Sequence, residues 1–372
     1  MRKNGRSAFL VLLVTSGLVG CSSGPGEVRS PPWGGVVDGG EGLGGSDEDE
    51  SAGDGGTFGG DDGAATIGSA GDDRPGADEA GDDAPPPPSD DGGDDGGNDG
   101  PPPAECPSSC YCERFDAAAD VSDLEQSFDG GNWAEVMIGV LDRRYPAAAD
   151  LLVEMEDDPY FGAFTDSSSF GALMDSVMTE VHEGTHGWDY ADALGQPYFG
   201  YWLRADLVYQ PPKIEGFPRS EIYSMLDDDS TALYDQTYLT GEQGTYGFYE
   251  LLDELNAYIN GMGAIAAVGE HIPWGVSGRD GAVAFLYYLE LYLRRARTAY
   301  PELYAELQGE PEYVELVQTQ WLRTHFLLEK ADAFPELGIH DLEIRANLHA
   351  PDNQAEIEMF IGRPLQAGPC LP

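Results

Sequence analysis

The segment from residue 22 to residue 105 bounds what the rest of this chain can be, because it is mostly Gly, Asp, Pro and Ser with few large apolar residues. Such a stretch cannot bury enough surface to offset its conformational entropy, so it is expected to stay disordered. Its aspartate pairs (Asp61-Asp62, Asp72-Asp73, Asp82-Asp83, Asp90-Asp91 and Asp94-Asp95) repel one another and extend it. Proline runs at 85–88 and 101–103 add stiff polyproline pieces. The Gly-Gly-Asp-Asp pieces could suggest a calcium-binding β-roll, but the glycines keep no nonapeptide period and no apolar position recurs. A solvated spacer is the expected result. Folding is thereby confined to residues 106–372, which suffice for one large domain or two lobes with a core.

Ahead of the spacer lies an export signal. Arg2, Lys3 and Arg6 form a positive start, and residues 8–19 supply an apolar run of the expected length. That run is too short to remain as a spanning helix, which needs roughly twenty apolar residues. The stretch Leu18-Val19-Gly20-Cys21 resembles the lipobox of bacterial lipoproteins. The resemblance implies cleavage before Cys21, which then carries two acyl chains and an N-acyl group and holds the protein on a membrane surface. The expected organisation is a signal peptide over 1–20, a lipidated linker over 21–105 and a folded domain over 106–372. The expected location is the cell envelope, with the outer membrane as the default.

The whole chain carries a formal net charge of −49, and the spacer accounts for less than half of it. Phosphate backbones would be repelled, so nucleic acid is excluded as an expected partner. Beyond Cys21 four cysteines remain, Cys106, Cys110, Cys112 and Cys370. In an exported protein an even number points to two disulfides. A Cys110–Cys112 bridge is disfavoured because one intervening residue strains its geometry, so Cys370 is expected to join Cys110 or Cys112.

Within the folded part, 132–145 reads as a helix, as does 147–155 after Pro146. Ser167, Ser168 and Ser169 offer capping hydroxyls to the next helix. There Phe170, Leu173, Met174, Val177, Met178, Val181 and Trp188 recur at three- and four-residue steps, one broad apolar stripe. Residues 198–210 are aromatic and β-branched enough for a strand or hairpin before Pro211-Pro212, and 235–240 is a weaker strand candidate. Helices are expected over 248–267, 280–299 and 312–331. The fold class is therefore α+β, mostly helical with a small sheet.

The chemistry sits on the striped helix, in His182-Glu183-Gly184-Thr185-His186. Residues four apart on a helix lie one above the other, so both imidazoles can reach one ion. Zinc takes such nitrogen ligands and keeps a further position for water in catalytic sites. Glu183, beside the first ligand, is placed to accept a proton from that water as it attacks a carbonyl. Gly184 costs roughly 1 kcal/mol relative to Ala in mid-helix, which suggests that a strand or substrate passes close to it. Asp189, three residues past His186, can accept a hydrogen bond from a ligand imidazole. Tyr246, Tyr258 and His271 are the candidates for stabilising a developing oxyanion. His325, His340 and His349 read as structural or exposed.

The run Val181 to Tyr190, with its motif followed by Gly187-Trp188-Asp189-Tyr190, resembles the active-site helix of zincin metallopeptidases of the thermolysin branch. The resemblance covers about ten residues firmly and the rest only by general layout. It implies a zincin-like catalytic domain, Zn2+ on the inner face of a helix between two lobes, and a protein or peptide substrate laid along an edge strand. No third ligand stands at the near spacing thermolysin uses, and no further His follows as the metzincin branch requires. A later helix supplies it: Glu254 with Ala257 looks like the Glu-x-x-Ala third-ligand helix of gluzincins, the small residue letting two helices approach. Glu250, on the same face at i, i+4, is the other candidate. The expected function is membrane-anchored zinc-dependent peptide hydrolysis by a monomer. Its rival is a non-catalytic surface-binding lipoprotein on the same scaffold, and a hydrolase of cell-wall peptide crosslinks is a further variant.

Overall fold

Proline placement and apolar spacing set many of the helix boundaries. The computed structural model describes residues 111–365. In chain order these form α1 (Ser122–Ser127), α2 (Trp133–Arg144), α3 (Pro146–Met155), α4 (Phe170–Ala193), strands β1 (Tyr201–Arg204) and β2 (Leu207–Tyr209), then α5 (Ala232–Tyr238) and α6 (Phe248–Ala267). There follow α7 (Asp280–Ala299), α8 (Pro301–Gly309), α9 (Pro311–Ala331), α10 (Asp341–Leu348) and α11 (Pro351–Ile361). Helices α3, α8, α9 and α11 each begin on a proline, whose fixed φ and missing N–H suit a first turn. The class is α+β, mostly helical with one two-stranded antiparallel sheet among the described residues. The expected signal peptide, the expected lipidation site Cys21, the linker and three of the four cysteines expected to pair (Cys106, Cys110 and Cys370) lie outside those residues. No helix among the described residues is long and apolar enough to cross a membrane.

Helix α4 starts where its cap requires. Ser169 is extended, and its hydroxyl accepts the Ala172 N–H at 3.1 Å, satisfying one of the free donors of the first turn. Its apolar stripe packs on α6, the helix with which it shares its most extensive contact. Helix α6 is buried almost all round, between α4, α7 and α9, and its few polar residues are buried with the rest. The two axes come close at Gly261, where a Cβ would stand 3.0 Å from the Met178 carbonyl oxygen and 3.5 Å from the His182 Cβ. This is the close approach that the sequence places at Gly184. At Gly184 itself a Cβ would meet only Leu152, at an ordinary 3.7 Å.

Two further expectations change. Residues 235–240 fall mainly in helix α5, not a strand, because Tyr234 and Tyr238 stand one turn apart. Both rings pack edge-on against Tyr258, at 5.8 and 6.1 Å, which only a helical period allows. The histidines read as isolated partly meet: His325 binds the Trp321 carbonyl at 2.8 Å, its ring lies 5.2 Å from that of His349, and burial lowers its pKa to about 4. His340 is exposed at the start of α10.

The stretch just before α1 is fastened by a buried ion pair. Glu113 meets Arg323 of α9 at 3.2 Å, with side chains 2% and 0% exposed, and Tyr111 and Tyr145 donate their hydroxyls to the same carboxylate. Removing one member of such a pair leaves the other charge buried alone, which costs about 3–5 kcal/mol. Glu113→Gln and Arg323→Met are each expected to lower unfolding stability by about that amount in denaturant titrations. A loss below about 1 kcal/mol, the range of an exposed pair, would show that the pair is solvated instead.

Candidate metal centre

Helix α4 places His182 and His186 one turn apart on the face turned to α6, and their Nε2 atoms are 3.2 Å apart. From α6, Glu254 Oε2 stands 3.8 Å from His182 Nε2 and 3.5 Å from His186 Nε2. All three side chains are buried, and together they form a group that could hold a metal ion. The spacing tests that reading. Ligand atoms about 2.0–2.1 Å from one tetrahedral ion stand about 3.3–3.4 Å from one another, close to the separations here. A second test is hydrogen bonding: Glu254 Oε2 is buried with no hydrogen-bond partner. A carboxylate oxygen in that state is costly unless a cation takes its lone pair. The residues present fit a divalent metal.

Around the ligands, α6 contributes a stripe of polar residues. Asp253 Oδ2 accepts the His186 Nδ1–H at 2.8 Å, which leaves His186 Nε2 as the atom facing His182 and Glu254. Asp189 does not take the imidazole, as its place on the motif helix suggests it should. Its carboxylate instead accepts the Trp202 N–H at 2.7 Å and the Asn256 amide at 3.0 Å. Asn256 and Asn260 both donate to the Trp202 carbonyl, at 2.9 and 3.0 Å. The backbone edge of β1 is thereby engaged at Trp202 by α4 and α6. The free edge strand that the zincin resemblance implies for a substrate is not found there, and the described chain ahead of α4 is helical.

The electrostatics follow from burial and close charges. Burial works against a charged His186, but Asp253 and Glu254 outweigh it and hold its pKa well above the ordinary value. Burial, joined by the His186 charge, lowers His182 to about 3. Burial also opposes ionisation of Glu254, yet His186 and then Arg219 hold its carboxyl below its usual value. Glu183, 7% exposed and next to the ligands, is raised to about 7, by burial first and by Glu254 and Asp253 against the pull of His186. Burial raises both Asp189 and Asp253, and the Asp253 charge raises Asp189 further.

The chain matches no family model, no curated protein and no solved structure.

The remaining candidates separate clearly. Glu250 is not among the ligands: its carboxylate caps its own helix by accepting the Gly247 N–H at 2.9 Å. Tyr258 is at the site, its ring edge-on to His182 at 4.5 Å, but its hydroxyl pairs with that of Tyr238 at 2.8 Å. Tyr246 lies over the guanidinium of Arg219, 5.4 Å from it. His271 is far off, packed on Phe170 at 5.2 Å, and Phe170 precedes His182 by about 18 Å of helical rise. Asp253, Asn256 and Asn260 are absent from the sequence reading, although one signal marks them. They are polar residues at three- and four-residue steps inside a helix otherwise too apolar to be on the surface.

Asp253→Asn, an isosteric change, is expected to lower metal affinity about ten- to hundredfold, because the ring it orients loses a charged acceptor. Competition against a chelator of known affinity measures this. An unchanged affinity with the fold intact would remove Asp253 from the centre.

Proposed function

We propose that this chain is a zinc-dependent hydrolase of peptide bonds, with His182, His186 and Glu254 holding the ion and Glu183 serving as general base. The observation that carries the reading is the approach of the three donors to within 4.8 Å of one another beside a carboxyl raised to about 7. Two imidazoles and one carboxylate, at separations suited to a tetrahedral ion, favour zinc over the larger oxygen-seeking cations. Zinc supplies the Lewis acid, polarising a carbonyl and making water nucleophilic near neutral pH. The protein's own groups supply the rest. Asp253 holds His186 in one tautomer and one orientation. Glu183 accepts the proton that attacking water gives up, then returns it to the departing amine. The near-complete burial of all four side chains keeps bulk water from screening these charges.

The peptide as substrate is supported by the resemblance of the α4 motif to the zincin helix. The leader and the lipobox-like sequence before Cys21 support an envelope protein anchored by lipid, working as a monomer at the end of a long spacer.

Three outcomes test the proposal. The purified chain is expected to bind about one zinc at neutral pH, and His182→Ala to lose it, by elemental analysis. Glu183→Gln is expected to keep zinc while peptide cleavage falls about 10²–10⁴-fold. A variant that still cleaves at the parent rate would defeat the assignment of Glu183. Finally, kcat/KM is expected to fall as pH drops below about 7, because only the ionised Glu183 accepts a proton. A cation beside it pulls the carboxyl lower, so the acid limb lies at or below that value. Activity that grows from pH 7 to pH 5 is inconsistent with a carboxylate base.

A further inference from the structure

Four arginines are buried among the described residues. Three of them close ion pairs: Arg144 with Glu270 at 2.7 Å, Arg279 with Asp341 at 3.0 Å and Arg323 with Glu113 at 3.2 Å. The fourth, Arg219, is fully buried and pairs with no carboxylate among the described residues. Its Nε donates to the carbonyls of Tyr238 and Gln243, both at 2.9 Å, and its Nη2 to Gln243 Oε1 at 2.8 Å. Its Nη1 has no hydrogen-bond partner. Three rings surround the guanidinium, those of Tyr238, Tyr246 and Phe285, at 5.3, 5.4 and 5.8 Å. A buried cation in no direct ion pair, with an N–H left unmade, is costly for a core to hold. An anionic ligand would relieve both defects at once.

The place of Arg219 connects it to the metal centre. Tyr238, whose ring lies under the guanidinium, shares its hydroxyl bond with Tyr258, and the Tyr258 ring packs on His182. Of the three rings, Tyr238 and Phe285 are buried while Tyr246 is partly exposed, so the side nearest solvent is that of Tyr246.

We propose that Arg219 Nη1 is an anion subsite of the metal centre and receives the free α-carboxylate of a peptide, so that the chain cleaves from C-termini. This rests on the hydrolase reading above. The planar guanidinium fork matches a carboxylate. A peptide substrate offers one such monoanion at its chain end. In the reaction the water oxygen bonds the carbonyl carbon and the C–N bond breaks. Both water protons end on the released amine, and the new carboxylate is ionised.

The test uses the zinc-loaded full chain and two peptides of one sequence, ending in a free carboxylate or in a carboxamide. Cleavage is followed as kcat/KM, and binding by calorimetry on the chain carrying Glu183→Gln. The free acid is expected to be preferred about ten- to hundredfold in both measurements, the value of a hydrogen bond to a charged group. Arg219→Gln is expected to level the two peptides, and Arg219→Lys to retain part of the preference. Equal treatment by the parent chain, or a preference that survives Arg219→Gln, overturns the proposal. Should Arg219→Gln not fold, Arg219→Lys and the parent comparison still decide. Cleavage of both peptides alike removes the subsite and leaves the hydrolase. Acid-selective, Arg219-dependent binding without cleavage removes the hydrolase and leaves the subsite, and neither binding nor cleavage removes both.

Discussion

The hydrogen bond between Asp253 and His186, 2.8 Å long and almost without solvent contact, joins the two helices on which everything else in this protein is arranged. It needs α4 and α6 side by side, and the glycine at 261 permits that approach. Once the helices are in register, Glu254 follows from Asp253 by a single residue and arrives opposite both imidazoles. Asn256 and Asn260 follow by one and two turns and pin the β1 backbone. One bond thus sets tautomer, ligand geometry and the seat of the hairpin together. A shift of α6 by one residue turns the helix by about 100° and would remove all three.

Polar groups inside an apolar helix stabilise a fold only when each is satisfied. Most of the stripe meets that condition through the Trp202 backbone, Asp189 and Thr185. Among the groups near the site that do not are His182 Nδ1, Asp253 Oδ1 and Asn256 Oδ1, together with the pair Glu254 Oε2 and Arg219 Nη1. Of that pair, one is an acceptor without a donor, the other a donor without an acceptor, and they carry opposite charge. Satisfying them against each other would have been the cheaper arrangement for stability alone. Keeping them apart is what a site for a cation and a neighbouring anion requires.

What the sequence makes legible here is local. The helix over 170–193 follows from its apolar period and its Ser169 cap, and the imidazole pair from i, i+4 geometry. Glu254 was legible through likeness to a known ligand helix and Glu250 was not excluded. The structure separates them by occupation, since Glu250 is used as a cap. Other residues were hidden because their partners are distant in the chain. Asp189 has the right offset on its own helix to reach His186, but a backbone N–H from β1 claims it first. Asp253 was lost among many acidic residues, and only the burial of α6 distinguishes it. His271 has the right chemistry and the wrong end of α4. Residues 235–240 read as a weaker strand candidate, while the Tyr234–Tyr238 step obeys the helical period and decides the matter.

Charge explains why so acidic a chain tolerates this centre. Glu183, Asp189, Asp253 and Glu254 crowd one buried volume, and raised carboxyl pKa values at three of them report their repulsion and their burial. The positive charges set against them are His186 and Arg219. A proton on His186 can bridge to His182 across 3.2 Å and so occupies the same donors that a metal would use. A metal would therefore compete with that proton for one place, and its binding would release it. A divalent ion would bring two positive charges where the proton brings one, so the carboxylates would favour it as pH rises. The acidity that elsewhere in the chain only repels would, between α4 and α6, favour a bound cation.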